Sequence, residues 1–103
     1  MNMTRLLDEI HPGEILSQDF MKPMGITGQV LASSIDVSKS RVSRIVNGSR
    51  SISVDTALRL GLFFSMGPRF WMNLQVEYDL RMMKRHMEAK ISPRIRVHQM
   101  AAA

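Results

Sequence analysis

Apolar residues recur along the chain at the three- and four-residue spacing of helices, and no segment sustains the alternation of a strand. The sequence HPGE at residues 11–14 predicts the start of a first helix, which should extend over about residues 12–21. Proline suits the first helical turn, and the glutamate suits the positive end of the helix dipole. The Pro23 and Gly25 that follow predict where this helix ends.

Two short helices are predicted between Thr27 and Gly48. Thr27 and Ser38 can cap them, because their hydroxyls accept hydrogen bonds from the free backbone N–H groups of a helix start. The apolar positions of each helix share one face: Leu31, Ala32 and Ile35 in the earlier helix, and Val42, Ile45 and Val46 in the later one. The Asn47-Gly48 pair predicts a left-handed end to the later helix.

A fourth and a fifth helix complete the predicted pattern. Ser53 can cap the fourth helix, in which Gly61 predicts a close approach by a neighbouring segment. The apolar face of that helix consists of Ala57, Leu60, Gly61 and Phe64. Pro68 predicts the first turn of a longer helix that extends to about Lys90 before Pro93 stops it. The expected fold class is therefore all-α, with five helices and an extended C-terminal helix.

The last helix carries two apolar stripes, of which a monomer needs only one. The stripe expected to enter the core consists of Trp71, Leu74 and Tyr78. The second stripe has the four- and three-residue steps of a coiled-coil seam and consists of Val76, Leu80, Met83 and Met87. We interpret residues 68–90 as a dimerisation helix whose second stripe packs on the same helix of another subunit.

The size and composition of the chain fit one domain. It has 103 residues and a mass of 11.7 kDa, and 45% of its residues are hydrophobic, which is enough to build a core. It has no cysteine, no apolar run near the length of a membrane span and no signal-peptide pattern. These features predict a cytoplasmic protein without a membrane partner.

The net charge of +5 is unevenly distributed. Residues 27–50 contain four basic residues and one acidic residue, and residues 81–103 contain six basic residues and one acidic residue. Concentrated positive charge in a small protein indicates an anionic partner.

Residues 27–48 have the length and layout of a DNA-reading helix-turn-helix. Ala32 supplies the small side chain needed where the two helices cross, and Asp36 at the turn tolerates a left-handed backbone. The expected organisation is an N-terminal segment at 1–10, a DNA-binding domain at 11–90 that contains the motif, and a basic tail at 91–103 that should be mobile.

The outward face of the second motif helix is polar and basic. It presents Ser40, Arg44 and Asn47, flanked by Ser43, with Lys39 and Arg41 projecting from the first turn. Ser38, just before this helix, and Ser49 and Arg50, in the loop after it, are expected to contact the phosphate backbone. Because no acid occurs from Val37 to Val54, we expect nothing on this surface to repel a polyanion.

The motifs of the chain also resemble a known family. The sequence ITGQVLASSIDVSKSRVSRIVNG is similar, without a gap, to the helix-turn-helix of the lambda-repressor-like (Cro/XRE) proteins. Further motifs are HPGEIL at the start, Pro23 and Gly25, NG-R-IS at 47–53, DTALRL at 55–60 and P-FW-NLQ-YDL at 68–80. Together, over roughly residues 11–80, they resemble the HigA antitoxins.

This resemblance implies a five-helix homodimer that binds a palindromic operator, represses its own operon and neutralises a HigB-type, mRNA-cleaving toxin. It places Gln29 where the family contacts backbone phosphate, and Lys39 and Ser40 where the family reads bases. The full set of expected DNA contacts is Gln29, Ser38, Lys39, Ser40, Arg41, Ser43, Arg44, Asn47, Ser49 and Arg50. Gly28 stands where repressors often place a glutamine that supports base reading, so the operator sequence does not carry over from relatives.

Two other functions fit the same residues: a free-standing regulator without a toxin partner, and a protein-interaction module that no longer binds DNA. The basic C-terminal stretch also allows three interpretations, as a solvated helix end, an additional phosphate contact or a toxin-binding tail. It consists of Arg81, Lys84, Arg85, Lys90, Arg94 and Arg96.

Catalytic and metal chemistry are not expected. No nucleophile stands beside a base, no carboxylate pair shares a predicted cleft, and no glycine-rich loop can hold a phosphate. His11 and Glu14 have the spacing of metal ligands, but the proline and glycine between them favour a helix start. We therefore expect neither an enzyme nor a small-molecule substrate, and no cofactor or metal.

Overall fold

The computed structural model describes residues 10–99, which fold into five helices with no strand among them. The helices are α1 (Pro12–Ile15, continued by a π-helical segment at Leu16–Met21), α2 (Gly28–Ser34), α3 (Lys39–Val46), α4 (Val54–Phe63) and α5 (Pro68–Ile91), followed by a 3-10 turn at Ser92–Arg94. The predicted all-α class and the five helices are confirmed. Most of the predicted N-terminal segment, and residues 100–103 of the predicted tail, lie outside the described residues.

Side-chain caps define the starts of α2, α3 and α4. The hydroxyl oxygens of Thr27, Ser38 and Ser53 each accept a hydrogen bond from the backbone N–H three residues ahead, at donor–acceptor distances of 3.1, 3.0 and 3.2 Å. Each cap satisfies a donor that the helix leaves free, which is worth about 1 kcal/mol. The three predicted caps are confirmed.

Two connections between helices hold a non-glycine residue in the left-handed region. Asp36, between α2 and α3, has a φ of 58°, and Ser65, between α4 and α5, has a φ of 56°. This backbone conformation costs on the order of 1 kcal/mol for a residue with a Cβ, although aspartate tolerates it better than most. The turn predicted at Asp36 is confirmed, and it fixes the short connection from α2 to α3.

The core receives a fully buried side chain from every helix. These are Leu16, Leu31, Ile45, Leu60 and Trp71 in chain order. The Trp71 indole also contacts the rings of Phe20, Phe64 and Phe70, with centroid separations of 4.9, 5.8 and 5.0 Å. Burial of a large apolar side chain stabilises the fold by about 1.5–3 kcal/mol, so this aromatic group anchors the start of α5.

The inward side of α5 differs from the predicted stripe of Trp71, Leu74 and Tyr78. Trp71 is buried, but Leu74 and Tyr78 are only partly buried, and Gln75 is buried between them with 3% of its surface exposed. Its amide oxygen accepts from the backbone N–H of Ile52 at 2.8 Å, and its amide nitrogen donates to Asp79 at 2.9 Å. A buried amide thus ties α5 to the loop before α4, because that N–H would otherwise lack a partner.

The α4–α5 connection is close enough to require a glycine. A Cβ at Gly61 would lie 2.7 Å from the carbonyl oxygen of Met66 and 2.9 Å from the backbone nitrogen of Pro68. Real Cβ atoms do not approach backbone this closely, so a larger residue would push the two helices apart. The close approach predicted at Gly61 is confirmed.

The first turn of α1 lies directly against the last turn of α3. A Cβ at Gly13 would overlap the carbonyl group of Ile45, so the two backbones touch where any other residue would separate them. His11 caps α1, because its Nδ1 accepts from the Gly13 N–H at 2.9 Å, and its ring packs edge-on against Tyr78. The helix-start role predicted for His11 is confirmed.

We expect Gly13→Ala to destabilise the protein by about 1–3 kcal/mol, because the added methyl group must displace the backbone of α3. Urea unfolding followed by circular dichroism measures the change. The matched control is Gly28→Ala at the start of α2, where the nearest side-chain atom lies at an ordinary 3.8 Å. Equal stability of the two variants would contradict the close contact between α1 and α3.

Stability should fall as pH decreases through the titration range of His11. Burial lowers the pKa of its imidazole below the ordinary value of about 6.5. The negative charge of Asp79 raises this pKa, but by less than burial lowers it. The folded protein therefore binds fewer protons than the unfolded chain between the lowered pKa and 6.5, so the free energy of unfolding decreases as pH falls through this window. Unfolding midpoints at pH 7.5, 6.5 and 5.5 test this.

The matched variant for this measurement is His11→Asn. Asparagine keeps an oxygen that can cap α1 but does not titrate. We expect this variant to lose part of the pH dependence between pH 7.5 and 5.5 while retaining most of the stability at pH 7.5. An unchanged pH dependence in the variant would assign the effect to other groups.

Candidate nucleic-acid interface

Helices α2 and α3 form the predicted helix-turn-helix. Four residues connect them, and the inward side of α3 is apolar, with Val42 and Ile45 buried and Val46 half-buried. Ala32 of α2 is buried as well, with 3% of its surface exposed. Because only the apolar side of α3 enters the core, its other side remains on the surface.

The predicted DNA contacts lie on the surface of the motif. Nine of the ten are exposed: Gln29, Ser38, Lys39, Ser40, Ser43, Arg44, Asn47, Ser49 and Arg50. Gln29, Lys39 and Ser43 line one groove between α2 and α3, together with Thr27 and Gly28. The structure therefore brings the residue expected to contact phosphate from α2 next to the first turns of α3.

The loop after α3 is held in place by its own side chains. The amide oxygen of Asn47 accepts from the backbone N–H of Ser49 at 3.0 Å and from its hydroxyl at 2.6 Å. The backbone N–H groups of Ser49 and Arg50 also donate to the carbonyl of Arg44, at 2.9 and 3.1 Å. These bonds give Asn47 and Ser49 a structural role and hold Arg50 close to the end of α3.

Arg41 differs from the other predicted contacts, because it is half-buried and paired. Its Nη1 donates to Oδ2 of Asp55 at 2.8 Å, and 26% of the Arg41 side chain is exposed. The expectation that nothing acidic faces this surface is therefore wrong at Arg41. The acid comes from the first turn of α4, one residue beyond the acid-free run that the sequence shows.

Asp55 and Arg59 extend this pair into a network. Asp55 Oδ2 also accepts from Nε of Arg59 at 3.0 Å, while Nη1 of Arg59 donates to the carbonyl oxygens of Ile35 and Asp36 at 2.9 and 3.1 Å. Hydrogen bonds from Arg41 first, and from Arg59 second, lower the pKa of the Asp55 carboxyl. The sequence signal for this network was the four-residue spacing of Asp55 and Arg59 within one helix.

The second apolar stripe of α5 lies on the surface. Val76, Leu80, Met83 and Met87 are 47%, 52%, 55% and 37% exposed. A further exposed stripe, which sequence reasoning missed, runs along α4 at four-residue steps and consists of Val54, Leu58 and Leu62. Both stripes leave apolar side chains partly exposed to water, and the one on α5 is the predicted dimer seam, which stays a prediction.

Within residues 10–99, no cluster of three or more histidine, cysteine or carboxylate side chains could bind a metal ion. Over the same range, no helix combines the length and the apolar character needed to cross a membrane.

Comparison with known proteins places this geometry in a family. Residues 18–69 match the family model described as helix-turn-helix. An addiction module antidote protein of a HigA family from Coxiella burnetii is 40% identical, with a TM-score of 0.80 over 86% of this chain and 97% of that one. This chain belongs to the HigA-type antitoxins of the Cro/XRE helix-turn-helix family. The resemblance seen in its motifs is thus confirmed.

Two further relatives cover most of the chain. The structure of Pseudomonas aeruginosa antitoxin HigA with the higBA promoter is 41% identical, with a TM-score of 0.81 over 84% of this chain and 95% of that one. Virulence-associated protein I of Dichelobacter nodosus is 48% identical over 73 residues, which span 71% of this chain and 68% of that protein. The matched segment covers 64% of the length of two other relatives.

Proposed function

We propose that this chain is a cytoplasmic, dimeric repressor that binds the operator of its own operon, and the antitoxin of a HigB-type, mRNA-cleaving toxin. The observation that carries the DNA-binding part is the exposed outward face of α3, which presents Lys39, Ser40 and Arg44 in a helix-turn-helix. Within residues 10–99 neither Lys39 nor Arg44 forms an ion pair, so both charges face solvent. The Pseudomonas aeruginosa relative with its promoter supports this proposal.

In the proposed complex, α3 of each subunit enters the major groove of one half-site. Arg44 reads a base edge, because an arginine can form two parallel hydrogen bonds to guanine. Gln29, Ser49 and Arg50 hold the phosphate backbone on either side and fix the orientation of α3. Since a two-fold dimer presents two such helices, the operator is an inverted repeat with half-sites about one helical turn apart.

We expect Arg44→Ala to weaken operator binding by about 1–3 kcal/mol and to relax base preference at one position in each half-site. Titration of the protein's own upstream region and a scrambled duplex, at two salt concentrations, measures both effects. Arg69→Ala is the matched control, because it removes the same charge from α5, outside the proposed surface. If Arg44→Ala weakens all duplexes equally, Arg44 contacts only phosphate.

The proposed dimer uses the second stripe of α5. This stripe consists of the four exposed residues Val76, Leu80, Met83 and Met87, whose spacing fits a seam between two helices. Leu80 and Met83 line an open groove with Ile95 and Val97 of the C-terminal segment, and more than a third of each of the four stripe side chains remains exposed. Pairing of α5 with its copy removes this apolar surface from water, which is the driving force for association.

Leu80→Glu should shift the protein from dimer to monomer, because it places a charge in the centre of the seam. Sedimentation velocity over a tenfold concentration range measures the shift. Leu62→Glu is the matched control, since Leu62 is 74% exposed on α4 and lies outside the seam. If Leu62→Glu dissociates the dimer and Leu80→Glu does not, the interface lies on α4. A wild-type protein that is monomeric at all concentrations would contradict the proposed dimer.

The antitoxin part of the proposal is supported by the family. A curated relative from Vibrio cholerae is named antitoxin HigA-1, and the Coxiella burnetii relative is described as an antidote protein. A free-standing regulator has the same DNA-binding surface, so the two functions differ in the partner alone. A reading frame for a small basic RNase-like protein beside the gene, whose toxicity this chain suppresses on co-expression, distinguishes them.

A further inference from the structure

The network of Arg41, Asp55 and Arg59 lies at the edge of the proposed DNA-binding surface. Arg41 belongs to the first turn of α3, and Asp55 to the first turn of α4, directly after the loop expected to contact phosphate. The Asp55 side chain is 54% exposed, so a phosphate approaching this loop meets a carboxylate already bound to the Arg41 guanidinium. Carboxylate and phosphate compete for the same guanidinium donors.

The geometry allows Arg41 to leave Asp55 without depriving the carboxylate of a cationic partner. Arg59 donates to the same carboxylate oxygen at 3.0 Å, so Asp55 retains a cationic partner when Arg41 departs. Arg59 is itself fixed by its two bonds to the carbonyl oxygens of Ile35 and Asp36. The Arg59 side chain is therefore held by three hydrogen bonds, whereas the Arg41 side chain forms one, to Asp55.

The energetics also favour exchange over a permanent pair. An ion pair between partly exposed side chains contributes little to stability, so a well-placed phosphate can replace the carboxylate at small cost. A phosphate that Arg41 cannot reach is not attracted by Arg41, because Asp55 already neutralises the charge of the guanidinium. Arg41 thus differs from the other basic residues of the surface, because it is paired with Asp55. Lys39, Arg44 and Arg50 have no ion pair within residues 10–99.

We propose that Asp55 is a specificity-determining residue that substitutes for a DNA phosphate: it holds Arg41 in the free protein and on random DNA, and releases it to a phosphate only in the operator complex. This inference rests on the proposed function. Random DNA is then bound with one fewer cation per subunit than the operator. Because each neutralised phosphate releases counterions, the two complexes differ in the salt dependence of their affinity.

The test compares the salt dependence of binding to the operator and to a random duplex for three proteins: wild type, Asp55→Asn and Arg41→Ala. We expect Asp55→Asn to steepen the slope of log affinity against log salt on random DNA by about 0.9 per subunit, and to leave the operator slope unchanged. Its affinity for random DNA should rise about five- to tenfold per subunit near 0.1 M salt, and the factors of the two subunits multiply in the dimer. Arg41→Ala should flatten only the operator slope, by a similar amount.

The double variant Arg41→Ala/Asp55→Asn completes the cycle. With Arg41 absent, loss of the carboxylate should leave the slope on random DNA at its wild-type value. Asp19→Asn is the matched charge control, because Asp19 is exposed on α1 and has no ion pair within residues 10–99. Thermal unfolding by circular dichroism checks that every variant is folded before its affinity is interpreted.

The outcomes separate this inference from the proposed function. If the wild-type protein binds no duplex in a salt-dependent way, the proposed DNA-binding function is wrong. If it binds the operator steeply but Asp55→Asn leaves the random-DNA slope unchanged, DNA binding stands and the exchange is wrong. An equal steepening on both duplexes, or the same effect from Asp19→Asn, also overturns the exchange, because Asp55 then acts as a general negative charge.

Discussion

An isolated helix of eight residues does not persist in water, because its few hydrogen bonds do not repay the cost of forming the first turn. α3 has this length, so its existence depends on what holds it. Its inward side is buried through Val42 and Ile45, its start is capped by Ser38, and its last turn lies against the backbone of α1 at Gly13. The outward side chains can keep a fixed geometry only because these contacts immobilise the helix beneath them.

The charge on the proposed interface is organised by the same elements that fix its shape. Arg59 bonds both to the carbonyl groups at the α2–α3 turn and to Asp55, so one side chain stabilises the turn and sets the position of a carboxylate near α3. A protein that must find one site among many competing sequences benefits when part of its positive charge is unavailable to random DNA. Stability of the motif and the proposed selectivity of the surface are thereby linked through three side chains.

Much of the fold was predictable because its signals are local. The caps at Thr27, Ser38 and Ser53, and the turn at Asp36, depend on residues within a few positions of one another. The interactions that sequence reasoning missed join distant positions. Gln75 bonds a backbone group 23 residues away, and Arg41 pairs with an acid 14 residues away. A sequence shows that such residues are present, whereas their proximity is decided by how the helices pack.

The candidate surface was predictable to the same extent. Periodicity separates the inward from the outward side of α3, and this division agrees with the burial of Val42 and Ile45. The contact between Gly13 and Ile45, and the pairing of Arg41, arise from the docking of α1 and α4, which the pattern within α3 does not contain. The residues that touch DNA, and the seam on α5, remain predictions.

The two ends of α5 serve separate tasks. Its first turns, with Trp71 and Gln75, are built into the core, whereas every residue from Met83 to Ile91 is exposed. Substitutions in the distal part can therefore accumulate without unfolding the domain. Because the proposed dimer seam includes Met83 and Met87 of these outer turns, their drift would give duplicated copies whose proposed seams no longer match, while each copy keeps the same helix-turn-helix.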